Sequence, residues 1–503
     1  MIRMDGMGMN RVNYSGMSRG NELQRYFHRF RANIIGQEQC FDTAFGRRRM
    51  LYADWTASGR AYRPIEVRLQ EEILPFFGNT HTETTVTGTR MTRAYEQAKR
   101  VIRDHVRAGE EDQLLFCGSG MTAAVNKLQR ILGFRVPERF AAAISGPALP
   151  EEERPLVLVT HMEHHSNHTS WLETIATVEV IRPDDCGNVD LGHLRELLES
   201  YRRRKVKIAA VTACSNVTGI ETPYREIARI MHGCGGKCFV DFSCAAPYVE
   251  IDMHPGRKGG DGGGRVGGDD GDGRGVENGG DLDAIYFSMH KFLGGPGTPG
   301  VLVFDRKLYC NKVPDHPGGG TLVYSNPWGG REYVEDIEAR EDGGTPPILQ
   351  GIKAGFCIGL KEEMGMARMR RREEQLVTLL LDRLSAIPGV DILAADQRNR
   401  LGVVSFVAPN AHHDVIVRLL NDRFGIQARG GCSCAGTYGH FLLGIGRARS
   451  AAIREALLAG DSGSKPGWVR LSLHPTMTDE EVDYLAAAVT TVAKGITCPD
   501  DRI

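Results

Sequence analysis

Between about Leu51 and Phe304, short β-branched or apolar runs alternate with stretches whose apolar residues recur at helical spacing. The runs cover residues 113–116, 156–160, 178–182, 207–212, 238–241, 284–288 and 300–304. Between them, Leu194, Leu197, Leu198 and Tyr201 mark one helical face. Thr222 followed by Pro223 predicts a helix start, a capping residue and then proline at the first helical position. Strands buried on both faces and separated by helices imply a mainly parallel sheet in an α/β domain. After about Ile352 the pattern changes. A helical stretch over 351–384 leads to a strand in which Val403, Ser405 and Val407 alternate with their neighbours. A helix near 414–423, a strand near 469–473 and a last helix follow, the last opened by the capping-box pair Thr478 and Glu481. The chain therefore divides into an N-terminal extension and arm (1–45), a large domain (46–350) and a smaller α+β domain (351–503).

Bulk properties narrow the function. A length of 503 residues suits two or three cores. With 62 basic and 63 acidic residues the formal charge is -1, which argues against a nucleic-acid or polyanion binder. No apolar run approaches the ~18–20 residues a membrane span requires. The first twenty residues lack the apolar core and cleavage site of a secretory signal. The 12 cysteines are scattered, without the pair spacing of a zinc ribbon or disulfide framework, so a reduced, cytoplasmic setting is expected. From 256 to 280 the chain is almost entirely Gly, Asp and Arg and reads as a disordered insertion in a surface loop. Smaller insertions fall around 141–155 and 460–467.

Four segments carry chemistry. Ser288-Met289-His290-Lys291 precedes a glycine-rich stretch and follows a strand, where ligands bind in open α/β folds. A partly desolvated lysine there is a nucleophile towards carbonyls; taken alone, Lys291 reads better as an exposed loop lysine. Asp241 ends an apolar strand, where a carboxylate needs a cationic or hydrogen-bonding partner; a protonated pyridine nitrogen is one such partner and a helix cap is the other reading. Ser119-Gly120-Met121-Thr122 offers a strand, a tight turn and a helix start, with free N–H groups and a hydroxyl for a phosphate. It matches neither the P-loop nor G-x-G-x-x-G. Glu163-His164-His165 invites a metal reading, but adjacent loop histidines without a further ligand motif fit an acid–base or ring-stacking role better, and no metal is expected.

The order of phosphate turn, Glu-His-His, Asn216 in Ser-Asn-Val-Thr-Gly, Asp241 and Ser-x-His-Lys resembles the class V aminotransferase superfamily. Within it, the chain resembles the group II cysteine desulfurases and selenocysteine lyases, and a desulfurase-like branch carrying Arg-Gly-Gly-Cys-x-Cys-Ala-Gly. The resemblance runs from about Leu51 to Ala488. It implies a fold-type I enzyme dependent on pyridoxal 5'-phosphate, with Lys291 carrying the cofactor as a Schiff base and Asp241 facing the pyridine nitrogen. His164 would stack on the ring, and Asn216 would lie near the ring oxygen and substrate. Thr122, Ser288, His290 and the backbone of Gly120 and Met121 would hold the phosphate. Thr345, in Gly-Gly-Thr-Pro, would reach the phosphate of the neighbouring subunit of a homodimer. Arg470 would clamp the substrate carboxylate, with Arg429 beside it.

The same resemblance implies sulfur removal from L-cysteine, or a similar small amino acid, to give alanine and a persulfide on Cys434. A sulfur-acceptor protein is the implied partner. Cys432 is a second thiol that could accept or resolve, and both cysteines also read as buried small hydrophobes on a glycine-rich turn. Two positions depart from the family pattern. Cys244 stands where a glutamine usually donates to the ring oxygen, and the paired histidines common before the nucleophile are missing. Transamination, epimerisation, selenocysteine cleavage or kynureninase-like cleavage on the same fold is the rival enzyme reading. A non-catalytic scaffold is the third.

Overall fold

The two-residue repeat of an extended backbone places successive side chains of each apolar run on opposite faces of one central sheet. In the computed structural model, which describes residues 22–80, 82–140, 149–255, 280–408 and 411–495, that sheet has seven strands. They are β1 (Asp112–Cys117), β2 (Leu156–Thr160), β3 (Thr177–Ile181), β4 (Lys207–Thr212), β5 (Lys237–Asp241), β6 (Ala284–Ser288) and β7 (Gly300–Asp305). Their order is β1-β7-β6-β5-β4-β2-β3. β7 runs antiparallel to both neighbours and every other pairing is parallel. All seven runs read from the sequence are present, with ends that move by a residue at most.

Alternate residues sort the two faces cleanly. Leu114, Leu156, Leu158, Ala209, Val211, Val240 and Ile285 enter one core, which also receives the helices Val86–His105 and Ile348–Met364. Leu115, Val157, Val159, Ala210, Phe239 and Tyr286 enter the other, beneath Met121–Ile131 and His165–Leu172. A sheet covered on both faces leaves its strand ends as the only polar openings. Thr160, Thr212, Asp241 and Ser288 end the parallel strands on one edge.

A second sheet is built from β8 (Asp391–Ile392), β9 (Val403–Val407), β10 (Arg429–Gly431) and β11 (Trp468–Ser472), in the order β8-β9-β11-β10 and antiparallel throughout. The helices Met366–Ser385, His413–Phe424 and Asp479–Gly495 accompany it. The N-terminal segment connects the two sheets. Its helix Glu22–Arg31 buries Phe27 and Phe30 in the main core, Leu51–Tyr52 pairs in parallel with Ile426–Gln427, and Asp54 bridges to Ser472. Thr478 and Glu481 form the expected reciprocal cap, each backbone N–H meeting the other's side chain at 3.2 Å. No helix among the described residues is long and apolar enough to cross a membrane.

Three local expectations are corrected. The helical stretch at 351–384 is two helices, because Gly365 at φ +77 breaks the run. Thr222 does not cap the following helix, which runs Tyr224–Gly233; its hydroxyl donates instead to the carbonyl of Thr212. The strand at 403–407 does not alternate in burial: Val403 to Phe406 are all buried, and the polar Ser405 satisfies its hydroxyl on the carbonyl of Val217 at 2.6 Å. The segments 256–279 and 141–148, which hold most of two expected insertions, lie outside the described residues.

Gly59 fixes the approach of the N-terminal segment to the turn after β6. Its N–H donates to the carbonyl of His290 at 2.9 Å, and a Cβ there would fall 1.9 Å from the Phe292 carbonyl oxygen and 2.9 Å from that of Lys291. Backbone cannot yield as a flexible side chain can, so Gly59→Ala is expected to destabilise the protein by about 1–3 kcal/mol. A urea unfolding midpoint that does not fall relative to the unaltered protein contradicts this packing.

Candidate active site

The carboxyl ends of β2, β4, β5 and β6 open onto a cavity of about 870 Å³. Lys291 closes the turn Met289–Lys291 directly after β6, half-buried in the cavity wall. No described residue hydrogen-bonds to its amine. Burial pushes its pKa down, against the pull of the Cys244 thiol and the Asp241 carboxylate. Asp241 ends β5, 3% exposed. Burial pushes its carboxyl up, while the N–H of Ser243, donating at 2.8 Å, and the charge of Lys291 favour the ionised form. A buried carboxylate at a strand end thus faces a cavity that also holds Lys291, whose charge favours its ionised form.

A second group of residues suits an anion. Gly120 precedes the first turn of the helix Met121–Ile131, so that helix N-terminus points into the cavity. The N–H of Met121 donates to the Ser288 hydroxyl at 2.9 Å, and Thr122 shares a 2.8 Å hydrogen bond with Ser166. His290 and Arg130 line the same space, the latter ion-paired with Asp315 at 2.7 Å. Burial, followed by the charge of Lys291, pushes His290 down to about 4.

His164 is held by the backbone: its Nδ1 accepts from the N–H of Ser166 at 3.1 Å, which leaves the ring proton on Nε2. Burial, then the positive charges of Lys291, His165 and Arg470, push it down to about 3. Behind it, Glu163 accepts from the Thr160 hydroxyl at 2.6 Å, from the Thr212 N–H at 2.9 Å and from Asn167 at 2.7 Å, and so ties β2, β4 and the following helix together. Burial pushes the Glu163 carboxyl up to about 8.

The opposite wall comes from the second sheet. Arg470, on β11, is 3% exposed and donates to the carbonyl of Asn216 at 3.0 Å and to Asp54 at 2.7 Å. Arg429, on β10, grips the other Asp54 oxygen through Nε and Nη2 at 3.0 and 2.8 Å. Asp54 was missed in the sequence, although a carboxylate within Leu51-Tyr52-Ala53-Asp54-Trp55 carries the same desolvation signal that singled out Asp241. Two polar atoms in this wall are buried without a partner among the described residues: Asn216 Oδ1 and Arg470 Nε.

The cysteine loop spans this wall. Ser433 and Cys434 both have left-handed backbones, at φ +51 and +55. The loop is tethered at several points: the Asn216 amide donates to the Ser433 carbonyl at 2.8 Å, His165 N–H to the Cys434 carbonyl at 2.7 Å, and Gly436 N–H to His165 Nε2 at 2.9 Å. Trp468 Nε1 reaches the Ser433 hydroxyl at 3.2 Å. Cys434 is exposed and Cys432 half-buried, and both line the cavity. His165 is a second residue whose part the sequence did not disclose.

Of the residues given a catalytic, cofactor or substrate role in the sequence, all but one line this cavity. Thr345 is the exception: it is exposed, accepts a hydrogen bond from Asn79 at 3.4 Å and does not reach its own chain's cavity. Metal-type ligands gather elsewhere among the described residues at His412, His413 and Asp414, none of which lines the cavity.

Comparison with known proteins identifies the family. The family model described as Aminotransferase class-V matches residues 51–255 and 278–485. The chain belongs to the class-V aminotransferase family. A probable cysteine desulfurase of Halalkalibacterium halodurans is 29% identical to this class-V chain over 398 residues, 77% of this chain and 84% of that protein. One from Staphylococcus aureus is 27% identical over 418 residues, 81% and 89% of the two chains. Among solved structures, the apo cysteine desulfurase of Thermococcus onnurineus shares the fold with a TM-score of 0.71 at 23% identity, covering 93% of this chain and 98% of that one. A cysteine desulfurase of Escherichia coli follows at 0.65 and 21%, covering 88% and 94%.

Two expectations follow from the site. Asp54→Ala leaves Arg470 buried without its carboxylate, and a loss of about 3–5 kcal/mol in unfolding free energy is expected; a loss under about 1 kcal/mol would show the bridge to be incidental. His164 and His290 have folded pKa values of about 3 and about 4 against an ordinary 6.5. Their neutral forms therefore stabilise the fold fully above pH 6.5, and that contribution is lost as pH falls towards 4. The double variant His164→Phe, His290→Gln should flatten the fall in urea midpoint across that window, while an unchanged pH slope would assign the acid lability to other groups.

Proposed function

We propose that this chain binds pyridoxal 5'-phosphate on Lys291 and uses it to remove sulfur from L-cysteine, leaving alanine and a persulfide on Cys434. The observation that carries the reading is that Lys291, buried Asp241 and exposed Cys434 face one cavity whose far end is built for an anion. The residues present fit that cofactor. Asp241 supplies the carboxylate for a protonated ring nitrogen, and the helix start at Met121 with Thr122, Ser288 and His290 would hold a phosphate. The unpartnered Asn216 Oδ1 awaits a donor. When bound, the cofactor supplies an electron sink for charge developing at the substrate α-carbon.

The chain's own residues then divide the work. Lys291, with its pKa lowered by burial, holds the cofactor and moves a proton at the substrate α-carbon. Arg470, pre-oriented by Asp54 and with Nε free, anchors the substrate carboxylate. His164, neutral, would lie against the cofactor ring. Cys434 attacks the substrate sulfur: a new S–S bond forms, the C–S bond breaks with its electron pair going to the substrate carbon, and that carbon takes a proton to leave as alanine. The exposed placement of Thr345 favours a homodimer in which it serves the partner's cavity, and a sulfur-acceptor protein would take the persulfide from Cys434 in the cytoplasm.

The test uses two variants. Lys291→Ala should abolish the visible absorbance gained on adding pyridoxal phosphate. Cys434→Ser should keep that absorbance and lose alanine release from L-cysteine by on the order of a hundred-fold or more. Unchanged alanine release in Cys434→Ser would favour another class-V reaction, and no absorbance in the unaltered protein would remove the cofactor assignment itself.

A further inference from the structure

Four cysteines line the cavity, and only two of them belong to the loop. Cys214 and Cys244 stand in the wall near Lys291, brought together from the segments after β4 and β5. Both are buried, at 1% and 6% exposure. Their sulfurs lie 3.5 Å and 3.7 Å from one carbonyl oxygen, that of Ser215, and within hydrogen-bond reach of each other. Two thiols sharing one acceptor at the wall of an open cavity are unusual neighbours, because each is a weak hydrogen-bonding group and neither satisfies the other well.

We propose that Cys214 and Cys244 are a redox-active thiol pair, which a hydroperoxide entering the cavity oxidises to a disulfide and a small thiol reductant restores. The two sulfurs are chemically unequal. The hydrogen bond from Cys214 and the positive charges of Lys291 and Arg470 hold Cys244 below the usual thiol range, while burial pushes Cys214 up. Cys244, the more accessible of the two at 6% exposure against 1%, is therefore the attacking thiol and Cys214 the resolving one. The Cys244 sulfur attacks one peroxide oxygen, the O–O bond breaks, and the departing oxide takes a proton to leave as water or alcohol. Cys244 is left as a sulfenic acid. Cys214 then attacks that sulfur: the S–S bond forms, the S–O bond breaks, and the hydroxyl leaves as water with the Cys214 proton. Two electrons pass from the thiol pair to one hydroperoxide.

The consequence is local. A disulfide would clamp the segment bearing Asn216 to the one bearing Asp241, at a bond length of about 2.0 Å where two thiols now lie in looser contact. Nothing in this chemistry depends on the reaction proposed above, and its product is a covalent bond read without any turnover.

The full-length, fully reduced protein is treated with one equivalent of hydrogen peroxide, alkylated, and digested without reductant for mass spectrometry. The expected result is a Cys214–Cys244 linked peptide pair as the main oxidised species, lost on adding dithiothreitol. In Cys214→Ser the resolving thiol is gone, so irreversibly oxidised Cys244 should rise roughly ten-fold with excess peroxide. The variant Cys432→Ser, Cys434→Ser should still form the linked pair. Recovery of Cys244 as free thiol, or linked to another cysteine, overturns the proposal. So does disappearance of the pair in the loop double variant, since the bond would then have come by exchange from the loop.

Discussion

Asp54 lies between two guanidinium groups that come from neighbouring strands of the second sheet, and it comes itself from the segment that leads into the first. Arg429 is exposed, but Arg470 alone, at 3% exposure, would carry its charge almost wholly out of water, which burial penalises. The shared carboxylate offsets that penalty and fixes the orientation of both side chains. Arg470 then spends one nitrogen on the Asn216 carbonyl, so the second sheet is keyed to the strand ends of the first through an ion and a backbone acceptor. Both arginines of the bridge line the cavity between the two sheets.

Within that cavity, burial acts on opposite charges in opposite directions. Cationic Lys291, His164 and His290 are all pushed towards neutrality, and so is the anionic Asp241. The positive charge of Lys291 adds to the effect on both histidines. Asp241 and Lys291 work against it, each favouring the other's charge. At the lysine and the carboxylate burial and mutual attraction therefore oppose each other, while the imidazoles are settled as neutral, a division that suits a site needing both a nucleophilic amine and an uncharged ring beside it.

Much of this was legible before any coordinates. The seven sheet strands could be read because burial on both faces leaves an uninterrupted apolar run, and such runs stand out against the helices between them. The motif residues could be read because the fold collects strand ends, so a polar residue directly after an apolar run has one place to go. What escaped has a common cause in sequence distance. Asp54 meets its arginines from 375 and 416 positions away, His165 meets the cysteine loop from 271, and Cys214 looks like one more buried thiol until Cys244 is beside it. The misplaced cap at Thr222 is of the same kind: a hydroxyl suited to a helix end found a strand carbonyl first. Gly365 failed differently, since a single glycine inside a helical pattern is tolerated and only its left-handed φ reveals a break.

The cysteine loop joins these themes. Two successive non-glycine residues in the left-handed region cost on the order of 1–2 kcal/mol each, and glycine would remove that cost at either position. The chain instead holds Ser433 and Cys434 there with donors from Asn216, His165 and Trp468, drawn from both walls of the cavity. A glycine at 434 would relax the backbone and delete the thiol; a glycine at 433 would delete the hydroxyl that receives Trp468. Strain that is kept, and over-determined by contacts from separate elements, marks side chains whose direction matters more than their backbone's comfort. The hydrogen bonds that hold this stretch also engage the Asn216 amide and His165, so displacing the loop breaks contacts with both walls of the cavity.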